Sequence, residues 1–265
     1  MAPRSSIDIT FDRASQNAKM YRLWSDPGQP YARNLIANLS ELPPYGSWSL
    51  GKDDWKDDHV KGKEGCGRLY HGELSWYPVP GGEVVPLPLH VAVKWMRGER
   101  MVNQLRHEAE MYMGPLHRLQ GQVVPIFYGF FTGKIEGVHI GCIVLEWCPG
   151  NEWMTFGKPD QKELADRWEA VQLLHRAGVK HGQLYKRRDS LRLWEGRHFL
   201  RARDGKLRIV DFQQARKHEC AGSMRPHEDL NIHLDHKCRE LCFAEIHLRR
   251  AIEGGPDFKT PWLPY

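Results

Sequence analysis

The spacing of apolar and polar positions divides the chain into arm, strands and helices. Residues 1–50 are broken by Asp26-Pro27-Gly28 and Pro43-Pro44-Tyr45-Gly46, with only a weak helical pattern through Tyr31 to Leu42, and they read as a variable N-terminal arm. From Val60 onward the pattern sharpens. Gly62-Lys63-Glu64-Gly65-Cys66-Gly67 followed by Arg68-Leu69-Tyr70-His71-Gly72-Glu73-Leu74 reads as strand, glycine-rich turn and strand, and Leu89-His90-Val91-Ala92-Val93-Lys94-Trp95-Met96 alternates as a strand should. Glu99 to Met113 has helical spacing, with Met101, Leu105, Glu108 and Tyr112 on one face. Val123 to Phe131 and His139 to Glu146 read as two strands.

A long amphipathic helix follows, capped by Asp160 with Glu163 three residues on, carrying Leu164, Trp168, Val171 and Leu174 inside and stopping at Gly178. The polar stretch His181-Gly182-Gln183-Leu184 comes next, then a hairpin around Asp204-Gly205 and a strand from Leu207 to Val210 that leads to Asp211. A last helix spans Leu230 to Ile252. No internal repeat is present.

Composition adds limits to this outline. With 265 residues, 41% hydrophobic and 27% charged, the chain reads as soluble and globular. The net charge of +5 is mild and its basic residues are interspersed with acids, which argues against a nucleic-acid partner. No window is long and apolar enough for a membrane span, and Met1 to Phe11 lacks the apolar core of a secretory signal, so an intracellular, cytoplasmic protein is expected. Six cysteines are too sparse for a disulfide framework. Four residues, His218, Cys220, Cys238 and Cys242, form a His-x-Cys and a Cys-x-x-x-Cys of the kind zinc takes; the alternative is cysteines acting as small apolar residues on a packed helix.

One contact follows from the pattern itself. Glu108 is an acid in the middle of an apolar helical stripe, where a carboxylate needs a cation, and Lys94 at the end of the preceding strand is the natural partner.

Taken in order, these segments resemble the protein-kinase superfamily over roughly residues 60–220, and in particular the small kinase-like proteins of fungi. Val91-Ala92-Val93-Lys94 is similar to the strand whose lysine holds the nucleotide phosphates, Glu108 to the helix acid that pairs with it, and Ile143-Val144-Leu145-Glu146-Trp147-Cys148 to the strand entering the hinge. Leu173 to Leu184 resembles the catalytic loop, with Gln183 in place of the aspartate, and Arg208-Ile209-Val210-Asp211-Phe212 resembles the metal-binding motif. Counting back from Asp211 puts His198 at the second metal position.

The resemblance implies an α+β, protein-kinase-like two-lobed fold. An antiparallel-sheet N-lobe would span residues 51–147 and a reduced helical C-lobe 148–265. It implies an ATP site lined by Gly62, Gly67, Lys94, Glu108, Glu146 and Cys148, and Mg2+ held by Asp211 and His198. Because the Gln183 amide is no general base at neutral pH, the implied activity is that of a pseudokinase, a nucleotide-binding protein with weak or no phosphoryl transfer, a regulatory role and a protein partner. The alternatives are an active phosphotransferase using Asp189 as a substitute, or a scaffold with an empty cleft.

Overall fold

The computed structural model describes residues 4–11, 19–26, 34–41, 67–76, 88–150, 161–188, 191–194, 198–221, 238–242 and 244. The chain forms two compact units, one of residues 1–110 with 126–147 and the other of 111–125 with 148–265.

The first unit is a closed barrel. Its strands are β1 (Ser6–Phe11), β2 (Met20–Ser25), β3 (Leu35–Glu41), β4 (Gly67–Trp76), β5 (Leu89–Arg97), β6 (Phe127–Ile135) and β7 (Val138–Glu146), joined in the order β1-β2-β6-β7-β5-β4-β3. Neighbours are antiparallel except β1 and β3, whose parallel pairing closes the ring. The alternation in the sequence explains the packing. Ile7, Ile9 and Phe11 of β1, Leu35, Ala37 and Leu39 of β3, and Val91, Val93 and Trp95 of β5 all point into one buried core. Phe11 sits edge-on to Tyr70 and Trp95, with ring centroids 5.0 and 5.1 Å away.

Helix α1 (Glu99–Met113) starts two residues after β5 and buries Val102, Leu105, Glu108 and Ala109. Its approach to the sheet is close: a Cβ on Gly141 of β7 would lie 3.0 Å from Val102 Cγ1. On β1 and β2, Asp8 stands opposite Arg22 in the ladder. Asp8 is fully buried, and Arg22 donates to both of its carboxylate oxygens at 2.6 Å.

In the second unit, α2 (Gln161–Arg176) buries Glu163, Arg167, Ala170, Val171, Leu174 and His175 along one stripe. The short strands that follow are β8 (Val179–Lys180), β9 (Tyr185–Arg188), β10 (Leu191–Trp194), β11 (Phe199–Arg201), β12 (Leu207–Ile209) and β13 (Arg216–Lys217). They pair as β9 with β10, β11 with β12 and β8 with β13. The Asp204-Gly205 turn joins β11 to β12 as its sequence indicates, with Gly205 at φ +76°. Arg201 of β11 binds Glu163 and Asp166 of α2, the latter at 2.7 Å, and Arg167 lies over the Phe199 ring. Residues 239–242 are helical.

This architecture corrects the fold expected from sequence. A closed seven-stranded barrel replaces the open antiparallel sheet of a protein-kinase-like lobe, and the described part of the second unit holds short two-stranded sheets with one long helix in place of a helical lobe. The physical reason lies in residues 1–50, read from sequence as an arm with a weak helix through Tyr31 to Leu42. They supply β1, β2 and β3, which complete the ring. The α+β two-lobed, protein-kinase-like fold, and the pseudokinase and transferase descriptions drawn from it, do not hold. ATP binding loses the resemblance that supported it. Among the described residues, no helix is long and apolar enough to cross a membrane.

The buried carboxylate of Asp8 gives a test of the barrel. Arg22→Ala removes two charge-assisted donors from it, and because Arg22 is itself half exposed the expected loss is about 1–3 kcal/mol in chemical denaturation. Asp8→Asn, which needs no cation, is expected to cost less.

Candidate metal centre

Most residues singled out in the sequence separate into the two units. In the first, Lys94 of β5 donates to Glu108 Oε2 of α1 at 2.8 Å, and the Glu108 side chain is 1% exposed, so the ion pair forms as its pattern implied. Glu146, at the end of β7, accepts the Ile126 N–H at 3.2 Å. Gly67 opens β4, where a Cβ would press on the flexible end of the Met96 side chain. Gly62 and Asp189, like Glu64 and Asp160, lie outside the described residues.

In the second unit, His198 is buried and its Nδ1 stands 3.9 Å from Asp211 Oδ2. Asp211 has a left-handed backbone, φ +72°, uncommon for a residue with a side chain. Cys148 is buried. Gln183 sits in the loop after β8; its Oε1 is buried and has no hydrogen-bond partner among the described residues.

Among the described residues, a cluster of possible metal ligands lies elsewhere, at the C-terminal end of α2. The helix stops because Gly178 takes φ +73°, its N–H bonding to the His175 carbonyl at 3.0 Å. The chain then enters β8, which pairs with β13 so that Lys180 faces Arg216 and Val179 faces Lys217. The ladder continues with the His218 N–H donating to the Gly178 carbonyl at 2.9 Å. This pairing brings His218 and, two residues on, Cys220 beside His175 in the last turn of α2. Cys238 arrives at the start of the helical turn 239–242.

One ligand atom from each of His175, His218, Cys220 and Cys238 lies within 4.8 Å of the other three. His175 Nδ1 is 3.5 Å from both the Cys220 and the Cys238 sulfur. A tetrahedral zinc with its usual bond lengths has N···S edges of about 3.6 Å, so those two edges are already at the bound distance.

The protonation states within the cluster depend on one another. Burial alone would lower the His175 pKa, but hydrogen bonds to Cys238 and Glu240, and their charge, push it up to about 10. Burial pushes the Cys238 thiol up, yet the bond to His175 and the Leu241 N–H outweigh it and leave the thiol below its ordinary value. The sulfur is thus disposed to carry negative charge, the state in which it binds metal. His218 is held neutral by burial and by the positive charges around it, His175 first, and its Nε2 is buried with no hydrogen-bond partner among the described residues. A divalent cation can replace the proton on His175 Nδ1.

Behind the ligands, the Glu240 carboxylate receives the Nε2–H of His175 at 3.1 Å. This fixes the ring so that Nδ1 faces the two sulfurs, the outer-shell arrangement typical of metal-bound histidine. Burial raises the Glu240 pKa, but the His175 bond, the His181 side chain and two backbone N–H groups lower it further, so the carboxylate stays ionised.

No protein-family model and no curated protein matches this chain.

Sequence reasoning found three of the four clustered residues and missed one. Cys242 does not join them: it is buried one turn beyond Cys238, its N–H bonded to the Cys238 carbonyl. His175 takes the fourth place. The available signal was a histidine in the last helical turn before the Gly178 stop, which becomes a ligand only once β8 pairs with β13. Glu240 was also missed. Cys142, Cys148, Cys220, Cys238 and Cys242 are all outside disulfides, as the sparse cysteine content implied.

The Lys94–Glu108 pair supports a double-mutant cycle. Lys94→Met strands a buried carboxylate and is expected to destabilise the protein by about 3 kcal/mol, whereas adding Glu108→Leu should recover most of that loss. Additive effects in urea melts would show that the two side chains do not interact.

Proposed function

We propose that the chain is a zinc-binding protein whose metal is structural and which works as a non-catalytic scaffold. The observation that carries this reading is the convergence of His175, His218, Cys220 and Cys238 with their ligand atoms within 4.8 Å of one another. Two thiolates and two imidazoles select zinc over hard cations such as magnesium or calcium, which prefer oxygen. Four protein ligands also complete the coordination shell. A hydrolytic zinc site keeps one position open for water, and here a protein side chain fills each one.

A structural role suits the surroundings. His175 and Cys238 are buried while His218 and Cys220 are half-buried, so the ion would lie just beneath the surface and tie the end of α2, the segment after β13 and the turn 239–242 together. Lys94 and Glu108 are accounted for by their own ion pair and take no part in it.

Metal analysis of protein purified without chelator should find one zinc per chain. Cys220→Ser and His218→Ala should each reduce that to well below one. Free zinc at a hundred times the dissociation constant should stabilise the wild type by about 2.7 kcal/mol, a rise in Tm of about 5–10 °C. A reconstituted wild type that binds no zinc, or a Tm indifferent to zinc and chelator, contradicts the reading.

A further inference from the structure

The geometry points to a coupling in which the metal centre sets the conformation of the polar loop 181–184 through Glu240, a positioning residue. This rests on the zinc reading above. Glu240 lies two residues beyond Cys238 in the same helical turn and is 5% exposed. Its Oε1 accepts both the Nε2–H of His175 and the backbone N–H of His181, at 3.1 and 2.8 Å, and its Oε2 accepts the N–H of Gly182 at 2.7 Å. A single carboxylate therefore orients one metal ligand and holds two consecutive loop amides.

The loop needs that anchor. Gly182 has φ +84°, and a Cβ there would come within 2.9 Å of the Gln214 carbonyl, so the conformation suits glycine and is tightly enclosed. His181 is fully buried. Its Nε2–H donates to the Val210 carbonyl at 2.9 Å, which leaves Nδ1 to accept the Gln183 N–H at 3.3 Å. The His181 ring packs at 4.9 Å against both His198 and Phe212, the residues that flank Asp211 with its left-handed backbone. A shift of the two amides would thus be felt at His198, Phe212 and Asp211.

Zinc acts on Glu240 from two sides. Ligation of Cys238 fixes the turn that carries the carboxylate, and ligation of His175 at Nδ1 fixes the ring that donates to it. Release of the ion frees both, so the loop loses its register when the metal leaves. A carboxylate that merely anchored the loop would hold it equally well with and without zinc.

Hydrogen exchange of the full chain, resolved by NMR at the His181 and Gly182 amides, separates these cases. The expected result is exchange slower by about tenfold or more in the zinc-loaded wild type than after chelation, against a change of less than about twofold in the β11–β12 hairpin. Glu240→Gln keeps the size of the side chain and one acceptor oxygen; it should bind zinc about 10–100-fold more weakly, and at saturating zinc, with one ion per chain confirmed, should have lost most of the zinc-dependent difference. Cys220→Ser, on a different segment from Glu240, should show fast exchange at both amides whether or not zinc is added. It keeps the test decisive if Glu240→Gln does not fold. Wild-type amides that ignore zinc while one ion per chain is bound overturn the coupling and leave the metal site standing. A full zinc response in Glu240→Gln overturns the role of Glu240. A wild type that binds no zinc overturns both.

Discussion

The pairing of β8 with β13 is only two residues long, yet the chemistry of the second unit depends on it. Isolated two-stranded pairs are marginal in water, and this unit is built from three of them beside a single long helix among its described residues. The ladder places His218 next to the end of α2 and so creates the contact with His175. A metal joining these segments would supply the cross-link that such short strands cannot provide through burial alone, since binding free energy at a structural zinc becomes folding free energy. The buried His175 and Glu240 make sense on the same ground: each is costly to bury by itself, and each would have a role around one ion.

The first unit solves the same problem differently. Seven strands close on themselves, so none of them is left as an edge, and the core is filled by alternating side chains from every side of the ring. Two of its buried carboxylates are satisfied in pairs, Asp8 by Arg22 and Glu108 by Lys94.

What could be read from the sequence was local. The bounds of α1, the stop of α2 at Gly178, the Asp204-Gly205 hairpin and the need of Glu108 for a cation all follow from spacing over a few residues, and each is present. What failed depended on distant pairing. The alternation of Ile7, Ile9 and Phe11 was there to be read, but nothing nearby announces that β1 lies parallel to β3 and closes a barrel. A strand ending in lysine followed by a helix bearing an acid resembled a kinase because any such strand and helix, packed together, pair those charges. At the proposed metal centre, the near neighbours His218, Cys220 and Cys238 were visible as candidates. His175 was not, because its place is set by a ladder between segments far apart in the chain.

The central claim is that two sulfurs and two imidazole nitrogens hold one zinc at the end of α2. X-ray absorption at the zinc edge of the purified full chain tests it most directly, because the method counts the atoms around the ion. The account predicts two sulfurs at about 2.3 Å and two nitrogens at about 2.0 Å, with the outer-shell scattering of imidazole rings. A shell of oxygen and nitrogen alone, or one with fewer than two sulfurs, would contradict it.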